Sequence, residues 1–501
     1  MNVTLSVLAA LTLVNAGFQE ITGAKPDGWT MSGRWRADRS GGHNGGAGVV
    51  WESPEPSKGT DLVTQEVGGW KVGDAFRLSA LMKTQGFRSE QATVPARICL
   101  EYHDANGKWL CGDYAISASL GDHDWTEVVH QSRPVPEGTA KVTVTAFVGA
   151  GCSGRIAFDN VAIEFLKKPR IEFVTTDAYR NTAVDGTVRI FAAVNPHEGE
   201  KVDCPFEVDV LKLPYGESKI TCRVGPEEKE LVFVRVRKLP DRRVSIDPSG
   251  WCLVNGRKFF PLGMYSGEVK ETWMREYAKA PFNCVVPYWP VTQEALDICW
   301  KYGIMMIVDA RCHKEREKNR AFVKYKDHPA LLAWYTNDEK PAAEIPALLE
   351  DYEFFKTRDP DHPVFAVMDR WHDLRGFTPT CDVLGVDPYP VNEKPVEMIA
   401  DFVKRCQAAV GSVRPFWNVP QAFPWSNYRK LEGDKGRFPT EEEIRSSCRQ
   451  HLDGGAKGLV FYAYHQIGDR GTNAHFAERW QIVKKVACEI AAEIPETKRI
   501  K

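Results

Sequence analysis

The residues best placed to do acid–base chemistry are Asp338 and Glu339, two adjacent carboxylates separated by only Thr336 and Asn337 from an apolar run over residues 331–335. An uninterrupted apolar run is typical of a strand buried on both faces, as in a parallel sheet. In barrel enzymes, catalytic groups lie at the carboxyl ends of such strands. The competing interpretation is a helix start, since Asp and Glu favour the first helical turn and proline, here Pro341, favours its first position.

Composition limits what the whole chain can be. Its 501 residues are too many for one hydrophobic core, so several domains are expected. A net charge of −2 without a basic block argues against a nucleic-acid partner or an anionic membrane surface. The 13 cysteines show no metal-ligand spacing, which argues against a zinc site. No apolar run approaches the roughly 18 residues that indicate a transmembrane segment.

The amino terminus has two interpretations. Residues 1–12 belong to an apolar stretch that could be a secretory signal, with small residues at 14–16 as the cleavage site. Alternatively, residues 13–18 form a first strand. A signal would make the protein secreted or periplasmic.

Residues 13–168 predict an all-β domain. Short alternating runs at 75–82 and 141–148 are separated by Gly, Pro, Asp and Asn, and no long helical pattern occurs. Four tryptophans are candidate platforms for sugar rings, or alternatively core residues: Trp29, Trp35, Trp51 and Trp109.

The order of motifs in this region resembles a CenC-type carbohydrate-binding module. The motifs lie at 15–18, 26–29, 98–102, 104–107 and 155–161. The resemblance implies a β-sandwich jelly roll of the galactose-binding-like type that binds glycans, with a possible structural calcium. Asp159 matches a calcium position of the family, whereas Gln19 stands where the family commonly has Glu. A sandwich that only braces the next domain remains the alternative.

Residues 169–245 predict a small Ig-like β domain followed by a linker, because strand-like runs at 186–194 and 231–236 flank a turn-rich middle. Nothing in this region indicates chemistry.

Residues 246–501 predict a (β/α)8 TIM barrel. The length is about right, and short apolar strands alternate with amphipathic helices. The predicted strands are 259–264, 284–287, 305–309, 331–335, 364–368, 383–387, 416–419 and 458–464, and predicted helices include 293–302, 345–356, 396–410 and 440–453. A doubly wound open sheet is the competitor, but no Gly-rich phosphate loop follows a strand.

If the barrel closes, carboxylates and aromatic rings at the strand ends converge on one mouth. Rings pack on the apolar faces of sugars and polar groups bind their hydroxyls, so the convergence predicts a glycan site. Its candidate members are Tyr265, Tyr288, Trp289, Asp309, Trp334, Asp338, Glu339, Asp369, Asp387, Tyr389, Gln421, Trp425, Tyr464 and His465. The charged run at 311–320 predicts a solvated loop or helix over this mouth.

The barrel resembles the large clan of retaining glycosidases through its segments at 254–265, 282–288, 302–309 and 454–462. The likeness covers about 250 residues and is nearest to uncharacterised bacterial branches. It implies glycoside hydrolysis of an oligo- or polysaccharide, with Glu339 as the acid/base and Asp338 where the clan usually has Asn. Gln421 stands at the position of the clan's nucleophilic Glu, and an amide cannot form a glycosyl ester.

Three mechanisms therefore stay open. In the first, Glu339 acts as the acid with a second carboxylate, for which Asp387 is the first choice, with Asp309 and Asp369 behind it. In the second, an N-acetylhexosamine substrate assists its own cleavage, with Asp338 orienting the acetamido group and Glu339 protonating the leaving oxygen. In the third, the barrel is degenerate and only binds glycan, as a binding or adhesion protein. No cofactor is expected for catalysis.

Overall fold

The computed structural model describes residues 13–90, 95–115, 117–166, 169–196, 200–288, 291–311, 320–371, 374–429 and 436–500. The chain divides into two compact units, Met1–Lys167 and Lys168–Lys501. The possible signal at residues 1–12 and the site candidate Trp289 lie outside the described residues. Within the described part of the chain, no helix is long and apolar enough to span a membrane.

The described part of the first unit contains strands and one short 3-10 turn, His43–Gly45. The strands are β1 Ile21–Thr22, β2 Lys25–Pro26, β3 Thr30–Met31, β4 Trp35–Asp38, β5 Gly48–Ser53, β6 Asp61–Glu66, β7 Phe76–Ser89, β8 Ala96–His103, β9 Trp109–Tyr114, β10 Gly121–Gln131, β11 Lys141–Val148 and β12 Cys152–Phe165.

Ten of these strands form two antiparallel five-stranded sheets with the orders β10-β7-β12-β5-β4 and β3-β6-β11-β8-β9. Side chains alternate in burial along β6, as expected for strands with one face towards a core. A single hydrophobic cluster collects the inward side chains of both sheets. The first unit therefore contains a β-sandwich.

Three of the four tryptophans that are candidate sugar platforms lie in the core of this sandwich. Trp29, Trp35 and Trp51 are buried, and the Trp51 indole nitrogen donates to the Asp61 carboxylate at 2.7 Å. As platforms these three predictions are wrong, because burial between the sheets leaves their rings no free face. Trp109 remains 51% exposed on β9.

The predicted first strand at 13–18 is also wrong. This segment forms a turn, in which Asn15 and Phe18 have φ values of 51° and 55°. Positive φ breaks the extended conformation that a strand requires. The Gln65 side chain fixes the segment instead, because its Oε1 accepts from the Val14 backbone N–H at 2.6 Å.

In the second unit, seven short strands precede the barrel region. They are β13 Ile171–Thr176, β14 Thr182–Ala183, β15 Thr187–Val194, β16 Val202–Asp203, β17 Glu207–Asp209, β18 Gly216–Val224 and β19 Glu227–Arg235. They form sheets with the orders β13-β15-β17 and β14-β19-β18-β16, with a small core of their own. Arg180 joins this region to the next one through an ion pair with Asp382 at 3.1 Å.

Three further strands form a small antiparallel sheet of order β20-β21-β22: β20 Val244–Ile246, β21 Cys252–Val254 and β22 Arg257–Phe259. Residues of these strands belong to the same hydrophobic cluster as the side chains inside the barrel. This sheet therefore packs against the barrel interior.

Eight parallel strands form the barrel, in the order β28-β27-β26-β25-β24-β23-β30-β29. They are β23 Leu262–Ser266, β24 Cys284–Pro287, β25 Met305–Asp309, β26 Leu331–Asp338, β27 Val364–Met368, β28 Val383–Val386, β29 Trp417–Asn418 and β30 Gly458–Phe461. Two backbone hydrogen bonds join β28 to the chain segment that contains β29, the strands at the two ends of this order. The Leu384 N–H donates to Pro415 O (3.0 Å), and the Val419 N–H donates to Val386 O (2.9 Å). The sheet thus closes on itself, and the open-sheet alternative is excluded.

Helices surround the strands. They are α1 Glu271–Tyr277, α2 Gln293–Lys301, α3 Ile345–Arg358, α4 Leu374–Phe377, α5 Met398–Ala409, α6 Glu441–Asp453 and α7 Phe476–Glu493. Thr440 and Glu443 form a capping box at the start of α6, which satisfies backbone N–H groups that the helix itself cannot bond. The predicted helices at 293–302, 345–356, 396–410 and 440–453 all occur, with ends shifted by at most two residues.

Candidate active site

The candidate site is a cavity of about 220 Å3 at the carboxyl ends of the barrel strands. It is lined by three carboxyl groups and seven aromatic rings: Asp338, Glu339, Asp387, Tyr265, Tyr288, Tyr389, Phe423, Trp425, Tyr428 and Tyr462. The cavity is smaller than the roughly 300–1,000 Å3 of drug-sized sites. Its size suits one sugar ring.

Glu339 and Asp387 lie in hydrogen-bonding contact through their carboxyl groups. Glu339 directly follows β26, and Asp387 directly follows β28. The two strands lie on either side of β27, and parallel strands bring their carboxyl ends to one edge, so groups 48 positions apart in the chain meet there. Asp387 is buried, whereas Glu339 keeps an exposed outer surface.

The backbone of Glu339 is unusual. Its φ is 54°, in the left-handed region that non-glycine residues seldom occupy, and its N–H donates to Val367 O at 2.9 Å. A conformation of this kind costs of the order of 1–2 kcal/mol and is concentrated at functional sites. The strain turns the chain away from β26 at the point where the carboxyl group must face the cavity.

Both carboxyl groups hold their protons more tightly than usual. Burial and then the negative charge of Asp369 raise the pKa of Glu339, the hydrogen bond from Asp387 opposes the rise, and the resulting pKa is about 7. Burial and then the charge of Glu339 raise the pKa of Asp387 well above its ordinary value. The two groups therefore titrate as a coupled pair, in which Asp387 keeps its proton and Glu339 loses its proton near neutral pH.

Asp338 is held in place by two partners. Its Oδ1 accepts from the Tyr335 hydroxyl at 2.6 Å, and its Oδ2 accepts from the Arg311 guanidinium. Arg311 also binds Asp309 through two nitrogens at 2.8 Å each. Asp309 thus neutralises Arg311 and does not line the cavity.

Arg311 is the residue that sequence reasoning placed wrongly. Its guanidinium lies 4.7 Å from the ring centroid of Tyr288 and 4.6 Å from that of Tyr335, and its side chain is 17% exposed. The first residue of the predicted solvated run therefore lies behind the cavity wall, against Tyr288 and Asp338, while residues 312–319 lie outside the described part of the chain. Its position two residues beyond Asp309 was the available signal.

Gln421 does not point a reactive group at the substrate. Its Oε1 accepts from the Val391 backbone N–H at 3.0 Å, and its Nε2 donates to Phe423 O at 3.3 Å. The side chain is buried and is not part of the cavity lining. Where the resemblance predicts a nucleophile, this chain has a side chain that holds two loops together.

We expect Gln421→Glu to leave turnover unimproved and to lower stability. The new carboxylate would face the Phe423 carbonyl oxygen, which is also an acceptor, in a buried place, at a cost of about 1–3 kcal/mol. Urea unfolding and glycosidase assays check this, with Gln293→Glu at the exposed start of α2 as the control that changes stability by less than about 0.5 kcal/mol. A gain in turnover would contradict the structural role.

Two rings that were predicted to bind sugar point away from the cavity and towards the surrounding helices. Trp334 packs on Phe355 of α3 with ring centroids 4.8 Å apart, and its indole nitrogen donates to Asp359 at 2.8 Å. Tyr464 begins a 3-10 turn after β30 and packs against Trp480 of α7. Both belong to the layer between the barrel and its helices, so neither can contact a ligand in the cavity.

Trp334→Phe should therefore lower stability without changing ligand affinity. The substitution leaves the buried Asp359 carboxylate without its indole donor, which costs about 1–3 kcal/mol. Urea unfolding measures the loss, and Trp371→Phe, at a residue 37% exposed in the same unit, serves as the control. A change in ligand affinity with unchanged stability would contradict this placement.

The remaining candidates flank the cavity. Asp369 pairs with Arg370 at 2.9 Å and acts on Glu339 through its charge. His465 packs edge-on against Tyr288 with ring centroids 5.7 Å apart, and burial lowers its pKa to about 4, so it is neutral. Sequence reasoning missed three rings that line the cavity, Phe423, Tyr428 and Tyr462. Phe423 lies between the predicted site residues Gln421 and Trp425, Tyr428 lies three residues after Trp425, and Tyr462 directly follows β30.

The residues around Asp159 do not fit the implied calcium ion. Its two carboxylate oxygens accept backbone N–H groups of His43 and Asn160 at 2.8 and 2.7 Å. Gln19 donates its amide to Gly17 O at 2.6 Å, where a cation would need a free carbonyl. Over the described ranges, no three His, Cys, Asp or Glu side chains form a group that could hold a metal.

Comparisons with known proteins show distant similarity in solved structures only. No family model matches this chain, and no curated protein matches it. A β-glucuronidase from an uncultured Clostridium shares 14% identity, with a TM-score of 0.36 over 93% of this chain and all of that one. A GH2 β-galacturonidase from Eisenbergiella tayi shares 13% identity, with a TM-score of 0.36 over 89% of this chain and 91% of that one. A putative β-galactosidase from Bacteroides fragilis shares 11% identity, with a TM-score of 0.37 over 84% of this chain and 74% of that one. Similarity at this level assigns no activity.

Proposed function

We propose that the barrel hydrolyses O-glycosidic bonds, with Glu339 as the general acid and Asp387 as its carboxyl partner. The observation that carries this proposal is the pair itself: two carboxyl groups in contact on the wall of an aromatic cavity of single-sugar size. Rings and carboxyl groups are the chemistry that an oxocarbenium-like transition state requires.

Glu339 suits the role of the acid because its pKa of about 7 lies near neutral pH. An effective general acid is protonated at the working pH and still gives up its proton readily. When Glu339 delivers its proton to the glycosidic oxygen, the bond from that oxygen to the anomeric carbon breaks, and the resulting carboxylate accepts a hydrogen bond from protonated Asp387. Asp387 thus stabilises the charge that forms on the acid. Water then bonds to the anomeric carbon, and the Glu339 carboxylate takes the proton that this water loses.

The contact between the pair also limits the mechanism. Carboxyl groups that flank the anomeric carbon are about 5–5.5 Å apart in retaining enzymes and about 6.5–9.5 Å apart in inverting ones. A direct hydrogen bond is shorter than either separation, so Asp387 in this arrangement does not face Glu339 across a sugar. Gln421 offers no nucleophile in its place.

This geometry favours a second candidate, hydrolysis assisted by the acetamido group of an N-acetylhexosamine. In that reaction the substrate supplies the nucleophile, and the protein needs only an acid and a group that orients the acetamide. Asp338 lines the cavity and is fixed by Tyr335 and Arg311, as an orienting group must be.

The test is a panel of aryl glycosides, with and without a 2-acetamido group, assayed from pH 4 to pH 9. We expect kcat/KM to fall as pH rises above about 7, because Glu339 must be protonated and is protonated only below its pKa. Turnover restricted to 2-acetamido glycosides selects the second candidate. Glycan binding without turnover of any glycoside would contradict hydrolysis and leave a barrel that only binds glycan.

For the first unit, we infer a supporting role in glycan binding through the outer surface of β9. Trp109, Leu110 and Tyr114 are exposed there by 51%, 36% and 37%. Exposed rings on a sandwich are suited to sugar faces, and Trp109 is the one candidate platform that the core does not absorb.

A further inference from the structure

The cavity presents polar groups without protein partners. The Trp425 indole nitrogen is a buried donor on its wall and has no hydrogen-bond partner among the described residues. No donor among the described residues reaches Asp387 Oδ1 either. Buried polar groups are normally bonded, so these atoms point to a ligand that supplies the bonds.

Acidic groups line the cavity in the part of the chain that the structure describes. The carboxyl groups of Asp338, Glu339 and Asp387 lie on its wall, and no described Lys or Arg side chain does. A bound anion would be repelled, and a bound cation would be attracted.

Behind the wall, rings and carboxylates already hold one organic cation. The Arg311 guanidinium lies over the rings of Tyr288 and Tyr335 and binds two carboxylates. Cations bind to aromatic faces because the ring's quadrupole is negative there, and burial strengthens the attraction. Tyr288 and six further rings line the cavity together with Glu339 and Asp387, so the same two kinds of group are available to a ligand.

We propose that the cavity binds a single sugar ring that carries a protonated amino group, and that it discriminates against sugars that carry a carboxylate. The proposal deepens the proposed function and rests on it, because the sugar is the terminal unit of the glycoside that Glu339 cleaves. The volume of about 220 Å3 limits the bound portion to one ring.

The test measures binding, not turnover, by ligand-observed NMR and calorimetry at low salt and at a pH where the amine is protonated. The probes are matched sets in the gluco and galacto configurations: the 2-amino sugar, its neutral parent, its N-acetyl derivative and the uronate. We expect the amino sugar to bind about tenfold more tightly than its parent. Added salt should reduce that preference.

Equal or tighter binding of the uronate overturns the proposal, and so does tightest binding of the N-acetyl sugar. Asp338→Asn should reduce the amine preference, measured as the ratio of the affinities for the amino sugar and its neutral parent, since it removes one carboxylate and leaves Arg311 less neutralised. Urea unfolding of the variant shows whether the barrel is intact. Amine preference without turnover of any glycoside rejects the proposed hydrolysis only. Turnover of neutral glycosides without amine preference rejects this inference only.

Discussion

Glu339→Gln is expected to reduce kcat by about 10²–10⁴-fold on glycosides with poor leaving groups, while glycan affinity stays near its original value. The amide has the shape of the carboxyl group but has no acidic proton for the glycosidic oxygen. Nitrophenyl glycosides should lose much less, because their leaving groups depart without protonation. The measurement compares both substrate types and adds calorimetric binding of a sugar.

Glu353→Gln is the matched control. Glu353 lies on the outer surface of α3, 59% exposed, and pairs with Lys356 at 2.6 Å. Glu353→Gln makes the same chemical change outside the cavity, so full activity is expected. If Glu339→Gln left turnover on poor leaving groups intact, Glu339 would not be the acid.

Asp387 gives the second large effect, and two substitutions separate its roles. Its hydrogen bond favours the ionised form of Glu339 and so holds the pKa of Glu339 down. Asp387→Ala removes the bond, so the pKa of Glu339 should rise and the alkaline limb of kcat/KM should move to higher pH. Turnover at the optimum should fall about 10²-fold, because the charge that forms on Glu339 is no longer stabilised.

Asp387→Asn keeps an N–H donor at the same place. The pH at which kcat/KM falls on the alkaline side should therefore change less in Asp387→Asn than in Asp387→Ala, relative to the unaltered protein. The pH profiles of the three proteins, recorded on one substrate, decide between them. A limb that moved to lower pH in Asp387→Ala would mean that Asp387 acts on Glu339 chiefly as a negative charge.

The barrel strands were largely predictable. Predicted strands 284–287, 305–309 and 364–368 coincide with β24, β25 and β27, because each is a short apolar run bounded by polar residues. The seventh and eighth strands are shorter than predicted, since only 417–418 and 458–461 pair regularly. Local apolar pattern determines which segments are strands, but pairing determines where each one ends.

Side-chain direction was less predictable. Leu331 to Tyr335 are all buried, so hydrophobicity gives no sign of which residues face the barrel interior and which face the helices. Strand geometry alternates the two directions, so that Tyr335 faces inward and Trp334 outward. Closure of the barrel determines which side chains face its interior. The prediction for Trp334 had the wrong direction and therefore placed this residue in the candidate site.

The sequence by itself determined that eight buried strands end in carboxylates and rings, that Glu339 ends the fourth of them, and that an amide stands at Gln421. These features are local, because residue type and strand ends are set within a few positions. Only the tertiary structure decided that Asp387 contacts Glu339, that Arg311 lies between two rings, and that Gln421 is bonded to loop backbone. Those contacts join residues far apart in the chain, and closure of the barrel is the event that brings them within hydrogen-bonding distance.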